Sequence, residues 1–560
     1  MKRIVVGFLG ALCLSSGLAC NSAKPTTDAA VPISAVVAAP APARLVAEFT
    51  LRKPKEAWAA VRTGIGGTVS LLADSPAQVI ANAAGIDTQL ASELLQDAPI
   101  AGVVSVTEGH DPVVVLALQL ANPEKVLADA GVKAALTFLP TKEALTGMRA
   151  AVAKSGYLMI SFGPAATEEE VKRLSPYLLT KVAVDARTPV SLAGSLASRR
   201  MESGLWVTGR EALGPEAKRN LELSIANVKA MLEAADKRKR ESKGGRVPDF
   251  GDAAPLIAKL VATKDAAVNG IDQLAQVSAF AGVRDGEFVV DVDLDPKAGG
   301  VFGAMLKGSK TCAADAIGQE PQQSVVAYFD CESAGDRKKI AEAQVGLITS
   351  VIGSRGPEEK KLLEALAKAW PEARGDELTA SLVLAGDDGA PSVRVLSPLG
   401  NVASADAARA TLRDLLGRPL VADALHVKLG IEKKVGDGTH MISLKRKSPP
   451  KEVQIVWSTD RSQLLIAALQ HADAGKVAAL RSPRAKLSDV STLSRELKVL
   501  GKDVLAALVL QPLLATVTKP QLTPQAAMLS LSRDQASGHA VVRLLLHTAL
   551  ARELIKLRTE

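Results

Sequence analysis

Apolar runs separated by short polar turns recur along this chain and predict antiparallel hairpins. One hairpin is expected in IAGVVSVTEGHDPVVVLALQL, with its turn at 108–112, and another in LTASLVLAGDDGAPSVRVLSP, with its turn at 386–391. A second hairpin follows each of these, in RAAVAKSGYLMISFG and in VQIVWSTDRSQLLIAAL. Glycine, aspartate and proline at the turns, with β-branched residues outside them, are typical of hairpins.

The order of these elements repeats, which indicates a tandem duplication. The segment VAEF at 46–49 matches VAYF at 326–329, and in both halves a short strand there turns into a helix. The segments SAFAGVRDGEFVVDVDLDP and AMLSLSRDQASGHAVVRLLL also match, with Arg-Asp at both turns. We therefore predict an α+β fold, a tandem duplication of a strand–helix–hairpin–helix unit, with mainly antiparallel sheets and helices packed on one face.

The predicted domain organisation follows the repeats and the changes in composition. Residues 1–19 form a signal peptide, 20–43 an Ala/Pro-rich tether, 44–308 the first α+β half, 309–322 a linker and 323–560 the second half. The first half carries a helical insertion at about 209–275, and the second half an extra hairpin at about 426–446. Proline and alanine favour an extended, semi-rigid tether.

An alternating acidic segment, DVDLDPKAGGVF, has part of the pattern of a calcium-binding loop. Asp291, Asp293 and Asp295 have the spacing of the first EF-hand ligands. Pro296 and Phe302 stand where that loop requires glycine and glutamate, so we predict no metal site. Instead, the three aspartates are expected on the solvent-facing side of a strand, with Asp295 capping the next helix and Pro296 in its first position.

The other chemical motifs are incomplete. GAMLKGSK, from Gly303, has two glycines at nucleotide-loop spacing, but Ser309 follows the second glycine where lysine is needed. No nucleophile elbow or zinc-protease motif occurs. The histidines are scattered: His110, His426, His440, His471, His539 and His547. We predict no catalytic residues, metal or cofactor, and a catalytic site assembled from distant residues stays the alternative.

Charge and aromatic content argue against nucleic-acid partners. The net charge of +8 is small for 560 residues, and aromatic residues make up only 3% of the chain. One dense basic run, DKRKRESKGGR, could attract anionic headgroups or lipopolysaccharide phosphates. It is also typical of a solvated helix end, which we favour. Its basic residues are Lys237, Arg238, Lys239, Arg240, Lys243 and Arg246.

The cysteines fit an exported chain. Cys13 lies in the predicted signal peptide and Cys20 at its end, which leaves Cys312 and Cys331 as an even pair. We predict a disulfide between these two, which would close a short loop and stabilise the fold by roughly 3 kcal/mol. Two buried thiols are the alternative. No cysteine or histidine lies close enough in sequence to make either a convincing zinc ligand.

The N-terminus has a basic start, MKR, an apolar run at 4–14 and then small residues, which together predict a secretory signal peptide. The run is shorter than the roughly 20 residues of a membrane-spanning helix. Ala19 followed by Cys20 resembles the signal of bacterial lipoproteins, whose cysteine is acylated and becomes the new N-terminus. Gly17 stands where that family prefers leucine, so cleavage by the ordinary signal peptidase stays the alternative.

The resemblance to bacterial lipoproteins implies a location. In that family, aspartate after the cysteine often means retention in the inner membrane. Asn21 stands there, so the resemblance implies an outer-membrane lipid anchor with the body facing the periplasm. A soluble periplasmic protein is the alternative. The body loosely resembles the uncharacterised duplicated α+β lipoproteins of Gram-negative envelopes, and this resemblance assigns no functional residues.

Three functions are compatible with these observations. A non-enzymatic envelope lipoprotein could act as a binding or scaffolding module for an envelope protein partner. A periplasmic carrier could hold a lipid or other apolar ligand between sheet and helices. A hydrolase would need titratable groups that converge from distant positions. A lipid tether on a large body without catalytic motifs favours the binding module.

Overall fold

The computed structural model describes most of the chain beyond residue 38. The predicted signal peptide, Cys20 and nearly all of the predicted tether lie outside the described residues. The described ranges are 39–66, 69, 72–106, 112–129, 135–139, 148–163, 166–182, 204–241, 270–284, 286–352, 356–384, 391–424, 426–446, 452–460, 462–511, 513–516, 519–522, 527–535 and 537–548.

The chain divides into two compact units. The first comprises residues 1–223, 271–298 and 545–560, and the second comprises 224–270 and 299–544. The long helix α6 and the last strand, β21, contribute residues to both units.

The first unit contains nine strands and most of the helices of the N-terminal half, counted over the described residues. Its strands are β1 Leu45–Leu51, β2 Ile100–Ser105, β3 Val113–Gln119, β4 Leu136–Leu139, β5 Met148–Ala153, β6 Tyr157–Phe162, β7 Leu205–Gly209, β8 Leu274–Arg284 and β9 Glu287–Pro296. Its helices are α1 Pro54–Ile65, α2 Pro76–Ala83, α3 Thr88–Ser92, α4 Pro123–Asp129, α5 Glu168–Thr180 and the start of α6 Leu213–Glu241.

The second unit has the same kinds of elements. Its strands are β10 Ser324–Cys331, β11 Glu377–Val383, β12 Ser392–Pro398, β13 Val427–Gly436, β14 Thr439–Arg446, β15 Glu452–Ser458, β16 Gln463–Leu469, β17 Val504–Leu510, β18 Leu513–Thr516, β19 Lys519–Leu522, β20 Ala527–Arg533 and β21 Ala540–His547. Its helices are α7 Val301–Gly308, α8 Asp315–Gly318, α9 Ala334–Ile352, α10 Pro357–Ala373, α11 Val402–Leu416, α12 Pro419–Ala424, α13 Ala474–Arg481 and α14 Ser491–Leu500.

The two units have equivalent strand orders, which confirms the predicted α+β duplication. In the first unit the order is β9-β8-β7-β1-β2-β3-β6-β5-β4. In the second it is β21-β20-β17-β10-β11-β12-β16-β15-β14-β13. Each strand pair described in these orders is antiparallel. The extra edge strand β13 belongs to the hairpin that the sequence predicts at 426–446, and β18 pairs separately with β19.

The structure shifts the internal sequence match by one residue. A register irregularity follows Leu45 in β1 and Ser324 in β10. Aligning these irregularities equates Phe49 with Tyr328, whereas the match of VAEF to VAYF equates Phe49 with Phe329. Because a shift of one residue moves every side chain to the other face of a strand, Phe49 and Phe329 face opposite sides of their equivalent sheets.

Helices cover both faces of the first unit's sheet, so the prediction of helices on one face was wrong here. On one face, Val171, Leu174 and Leu178 of α5 pack against strand residues that include Val115 and Met159. On the other face, helices α2, α3 and α4 pack against a second cluster of strand residues, which includes Leu118 and Ile160. The reason is visible in the strands, because β5 and β6 are buried at almost every position, which is typical of strands covered on two sides.

The structure confirms one of the predicted helix caps and contradicts another. Thr167 caps α5 by accepting a hydrogen bond from the backbone N–H of Glu170, as the capping-box spacing predicts. Asp295 does not cap a helix, because β9 continues through Pro296 and the next helix begins at Val301. Asp291 is fully buried, so the expectation that all three aspartates face solvent was also wrong.

Candidate binding surface

The central strands of the second unit have an unusual distribution of polarity. On the side covered by α8 and α14, the buried positions of β11 and β20 include Thr379, Ser381, Ser530 and Ser532. On the opposite side, the alternate positions of the same strands are mainly leucine and alanine. In these two strands, alternation therefore places small polar residues among the buried positions and leaves apolar residues on the other side, whereas β10 and β17 bury apolar residues such as Phe329 and Val509.

The outward apolar side chains form two continuous rows across five strands. The first row runs through β12, β11, β10 and β17, and the second continues to β20. The register places these residues directly opposite one another: Val393, Leu382, Val326 and Leu510 in the first row, and Val395, Ala380, Tyr328, Leu508 and Leu529 in the second. We call these nine residues the apolar face.

Several side chains of the apolar face are substantially exposed. Val393 is 43% exposed, Leu510 42%, Leu529 44% and Tyr328 38%, although their neighbours are also apolar. Scattered surface leucines are ordinary, but a contiguous apolar patch on one sheet is typical of a site of interaction. The apolar face is therefore the candidate functional site of the described part of the chain.

In the first unit, the side of the sheet that corresponds to the apolar face is covered more completely by helices. Phe49, the counterpart of Tyr328, is only 7% exposed. In that unit α1 packs against β8, and its Trp58 and Ile65 belong to a buried cluster that Phe288 of β9 also contacts. In the second unit the corresponding helix, α9, packs along α10. The difference in helix packing accounts for the greater exposure of the apolar face.

A charged cluster lies on the same side of β10, next to Tyr328. Asp330 and Glu332 follow at alternate positions, and Arg374, just after α10, bridges the two carboxylates. The guanidinium Nη1 of Arg374 lies 3.4 Å from Asp330 Oδ1, and its Nη2 donates to Glu332. Both Asp330 and Arg374 are buried, so the two negative charges share one positive partner in a place poor in water.

This crowding changes the acidity of the cluster. Burial raises the pKa of the Asp330 carboxyl to about 6, the charge of Arg374 opposes the rise, and the charge of Glu332 adds to it. Burial and the neighbouring Asp330 also raise the pKa of the Tyr328 hydroxyl. The side chain at the edge of the apolar face thus adjoins a carboxyl group that changes charge under mildly acidic conditions.

More ion pairs extend the cluster toward the disulfide. Arg337 of α9 donates through Nε to the carbonyl of Pro371, 3.0 Å away, and through Nη1 to Asp376. Lys310 also pairs with Asp376, and hydrogen bonds from Lys310 and Arg337 lower the pKa of that carboxyl against the effect of burial. These contacts connect α9, the end of α10, Lys310 and the residue that precedes β11, so the cluster is well suited to hold these segments together.

The raised pKa of Asp330 predicts a pH effect on stability. An unfolded aspartate titrates near 3.9, so between about pH 4 and pH 6 the folded state binds more protons at this position. The stability of the wild type should therefore fall, relative to Asp330→Asn, as the pH rises through that window, and the difference should then stay constant. Urea unfolding of both proteins at pH 4, 5, 6 and 7 measures it. A difference independent of pH would contradict the assignment.

The predicted site residues have different outcomes. Cys312 and Cys331 form a disulfide, with Cα atoms 5.7 Å apart. Lys237, Arg238, Lys239 and Arg240 lie in α6, but their side chains, like all of Lys243 and Arg246, are outside the described residues. In the part of the chain that the structure describes, no group of three or more His, Cys, Asp or Glu residues could hold a metal ion.

Comparisons with known proteins add little. No protein-family model matches the chain, and no curated protein matches it. One solved structure, "Structure of crystal form I of TP0453", aligns with 48% of this chain and 80% of that one. The identity is 10% and the TM-score 0.21, so the resemblance is distant.

The disulfide bears on the location of the protein. The disulfide is consistent with an extracytoplasmic protein, because such bonds persist in oxidising compartments. Over the described residues, the helices all lack the combination of length and apolar composition that crossing a membrane requires.

Sequence reasoning missed both the apolar face and the charged cluster. Alternation in β20, AMLSLSR, shows that Leu529 and Leu531 share one side and Ser530 and Ser532 the other. The usual inference places the leucines inside. Arg394 in β12 supports the same inference, because a lone arginine is expected on the solvent side of a strand, whereas the structure buries it.

Proposed function

We propose that the protein is a non-enzymatic cell-envelope lipoprotein that acts as a binding or scaffolding module, with the apolar face as its docking surface. The observation that supports this is the exposure of Tyr328, Val393, Leu510 and Leu529 in two adjoining rows of one sheet. Covering such side chains would contribute on the order of 1 kcal/mol each, because each is already partly buried. A partner that covers the face would therefore gain useful affinity.

The proposed location follows from the N-terminus and the disulfide. Acylation of Cys20 would anchor the chain in the outer membrane, and the tether at 20–43 would separate the folded units from the bilayer. A body held in this way meets envelope proteins at high local concentration. Gly17 stands where the lipoprotein signal prefers leucine. Cleavage by the ordinary signal peptidase, which would give a soluble periplasmic form, is therefore the alternative.

A carrier of a lipid or other apolar ligand is the second candidate, because the same apolar face could contact an acyl chain. The face is one side of a sheet, and the exposure of Leu510 and Leu529 shows that it is accessible. A protein partner needs only shape and apolar complementarity to such a surface. For this reason the binding module ranks first.

The experiment compares the full exported chain with two variants by native mass spectrometry and co-purification. Leu529→Asp introduces a charge into the apolar face. Ile431→Asp is the matched control, because Ile431 is 77% exposed on the β13–β14 hairpin, outside the face. We expect Leu529→Asp to reduce partner occupancy at least tenfold while the control retains it.

The outcomes separate the two candidates. A protein that co-purifies with the wild type and with Ile431→Asp, but not with Leu529→Asp, supports the module. An added mass that organic solvent extracts, lost in the same variant, supports the carrier instead. Equal recovery of the bound species in both variants would show that the apolar face is not the docking surface.

A further inference from the structure

A buried ion pair lies on the opposite side of the second unit's sheet. Arg394 projects from β12, and its side chain is 2% exposed, while the side chain of Glu320, which follows α8, is 0% exposed. The closest contact between them joins Arg394 Nη1 and Glu320 Oε2 at 3.4 Å. The same Nη1 donates to the carbonyl of Gln319 at 3.3 Å. The pair is therefore held by a long single contact rather than by two parallel hydrogen bonds.

Most polar atoms of this pair have no protein partner in the described structure. Nε and Nη2 of Arg394 and both carboxylate oxygens of Glu320 make no hydrogen bond. The hydroxyl of Ser381, directly opposite Arg394 in the β11–β12 pair, is likewise without one. The hydroxyl of Ser324 is also without a hydrogen-bond partner. The backbone N–H of Ser324 donates to the carbonyl of Pro321, the residue that follows Glu320.

These atoms include both donors and acceptors, and the charges of the pair balance. An added ion would leave net charge in a buried place, which is costly. A neutral molecule that both donates and accepts meets the requirement, and the full burial of Glu320 restricts its size. The residues directly opposite Arg394 on the two neighbouring strands, Ser381 in β11 and Ala467 in β16, have small side chains.

We infer that at least one ordered water molecule is bound between Arg394 and Glu320 and completes their hydrogen bonds. Buried waters typically make about three hydrogen bonds to polar groups that the protein leaves unpaired. Here the guanidinium donates to the water, the water donates to the carboxylate, and the Ser381 hydroxyl provides a further partner. The site thus converts a long ion pair into a bridged one.

The bridged pair attaches residues 312–320 to the sheet of the second unit. Residues 312–320 are held at one end by the disulfide of Cys312 and at the other by Glu320. Between these ends, Ala314 and Ile317 are fully buried and α8 packs against β10. The segment that the sequence predicts as part of a linker is therefore integrated into the second unit, and the bound water belongs to its attachment.

The first test is a crystal structure of the full chain at about 1.5 Å, a resolution at which buried waters are located. The inference expects a water within about 2.7–3.2 Å of a free Arg394 nitrogen and of a Glu320 oxygen. A direct two-bond contact between the side chains with no water would overturn it. Density for an ion or a larger molecule would overturn it as well.

A second test counts long-lived waters in solution by oxygen-17 relaxation dispersion. The double variant Arg394→Met/Glu320→Met is expected to lose at least one such water. The matched control is Arg543→Met/Glu496→Met, whose pair is also buried but is in direct contact at 3.0 Å, so it should lose none. Equal counts in the wild type and the first variant, or equal losses in both variants, would refute the bridge. The crystal structure decides if either variant fails to fold.

Discussion

Replacing Arg543 by methionine is expected to lower the free energy of unfolding of the second unit by about 3–5 kcal/mol. Arg543 of β21 donates through Nη1 to Glu496 of α14 over 3.0 Å, and the two side chains are nearly inaccessible to solvent. The substitution leaves the carboxylate of Glu496 buried without this cation, and burying an unpaired charge is costly. The measurement is urea unfolding, with hydrogen exchange of the α14 amides as a local readout.

Two further variants test the cause of that loss. Arg543→Met combined with Glu496→Met removes both charges, and it should recover most of the lost stability. Lys361→Met breaks a surface pair of similar length, in which Lys361 and Glu358 are 3.0 Å apart and exposed, and it should cost less than 1 kcal/mol. If Arg543→Met lowers the free energy of unfolding no more than Lys361→Met does, burial does not increase the contribution of the Arg543–Glu496 pair to stability.

Removing the disulfide with Cys312→Ala/Cys331→Ala is expected to cost about 3 kcal/mol of stability. The bond closes a loop with a sequence separation of 19, and it connects the end of β10 to the segment that precedes α8. Without it, the unfolded chain gains conformational freedom that folding must then remove. Urea or thermal unfolding of the wild type and the double variant, both under oxidising conditions, measures the difference.

A reducing agent provides the matched control for the disulfide. Reduction should lower the stability of the wild type to that of the double variant, and it should leave the variant itself unchanged. If reductant destabilises both proteins equally, a different reducible feature accounts for the effect. If the variant is as stable as the oxidised wild type, the bond does not contribute to equilibrium stability.

Much of the fold was predictable because its signals are local. Apolar runs and turn residues located the hairpins, and the spacing of Thr167 and Glu170 located the start of α5. The repeated order of elements indicated the duplication, and the even pair Cys312 and Cys331 indicated the disulfide. Each of these predictions depends on a few neighbouring residues, on a repeated order of segments or on the number of cysteines. A single sequence therefore contains enough information to make them.

The candidate site was not predictable, because it depends on packing between distant segments. Alternation assigns Leu529 and Ser530 to opposite sides of β20 but does not say which side is covered. The coverage is decided by α8 and α14, whose Ile317 and Leu493 are fully or almost fully buried on the serine side. The raised pKa of Asp330 likewise requires Arg374 and burial, neither of which is adjacent in sequence.

The sequence by itself thus determined the element types, their repeated order and the covalent pair, since local propensity and periodicity control these features. Only the tertiary structure decided that helices cover both faces of the first sheet and that the internal match is shifted by one residue. It also decided that several side chains of the apolar face of the second unit are exposed. The reason is physical: the side of a strand that is buried depends on which helices pack against it, and that packing joins residues far apart in the chain.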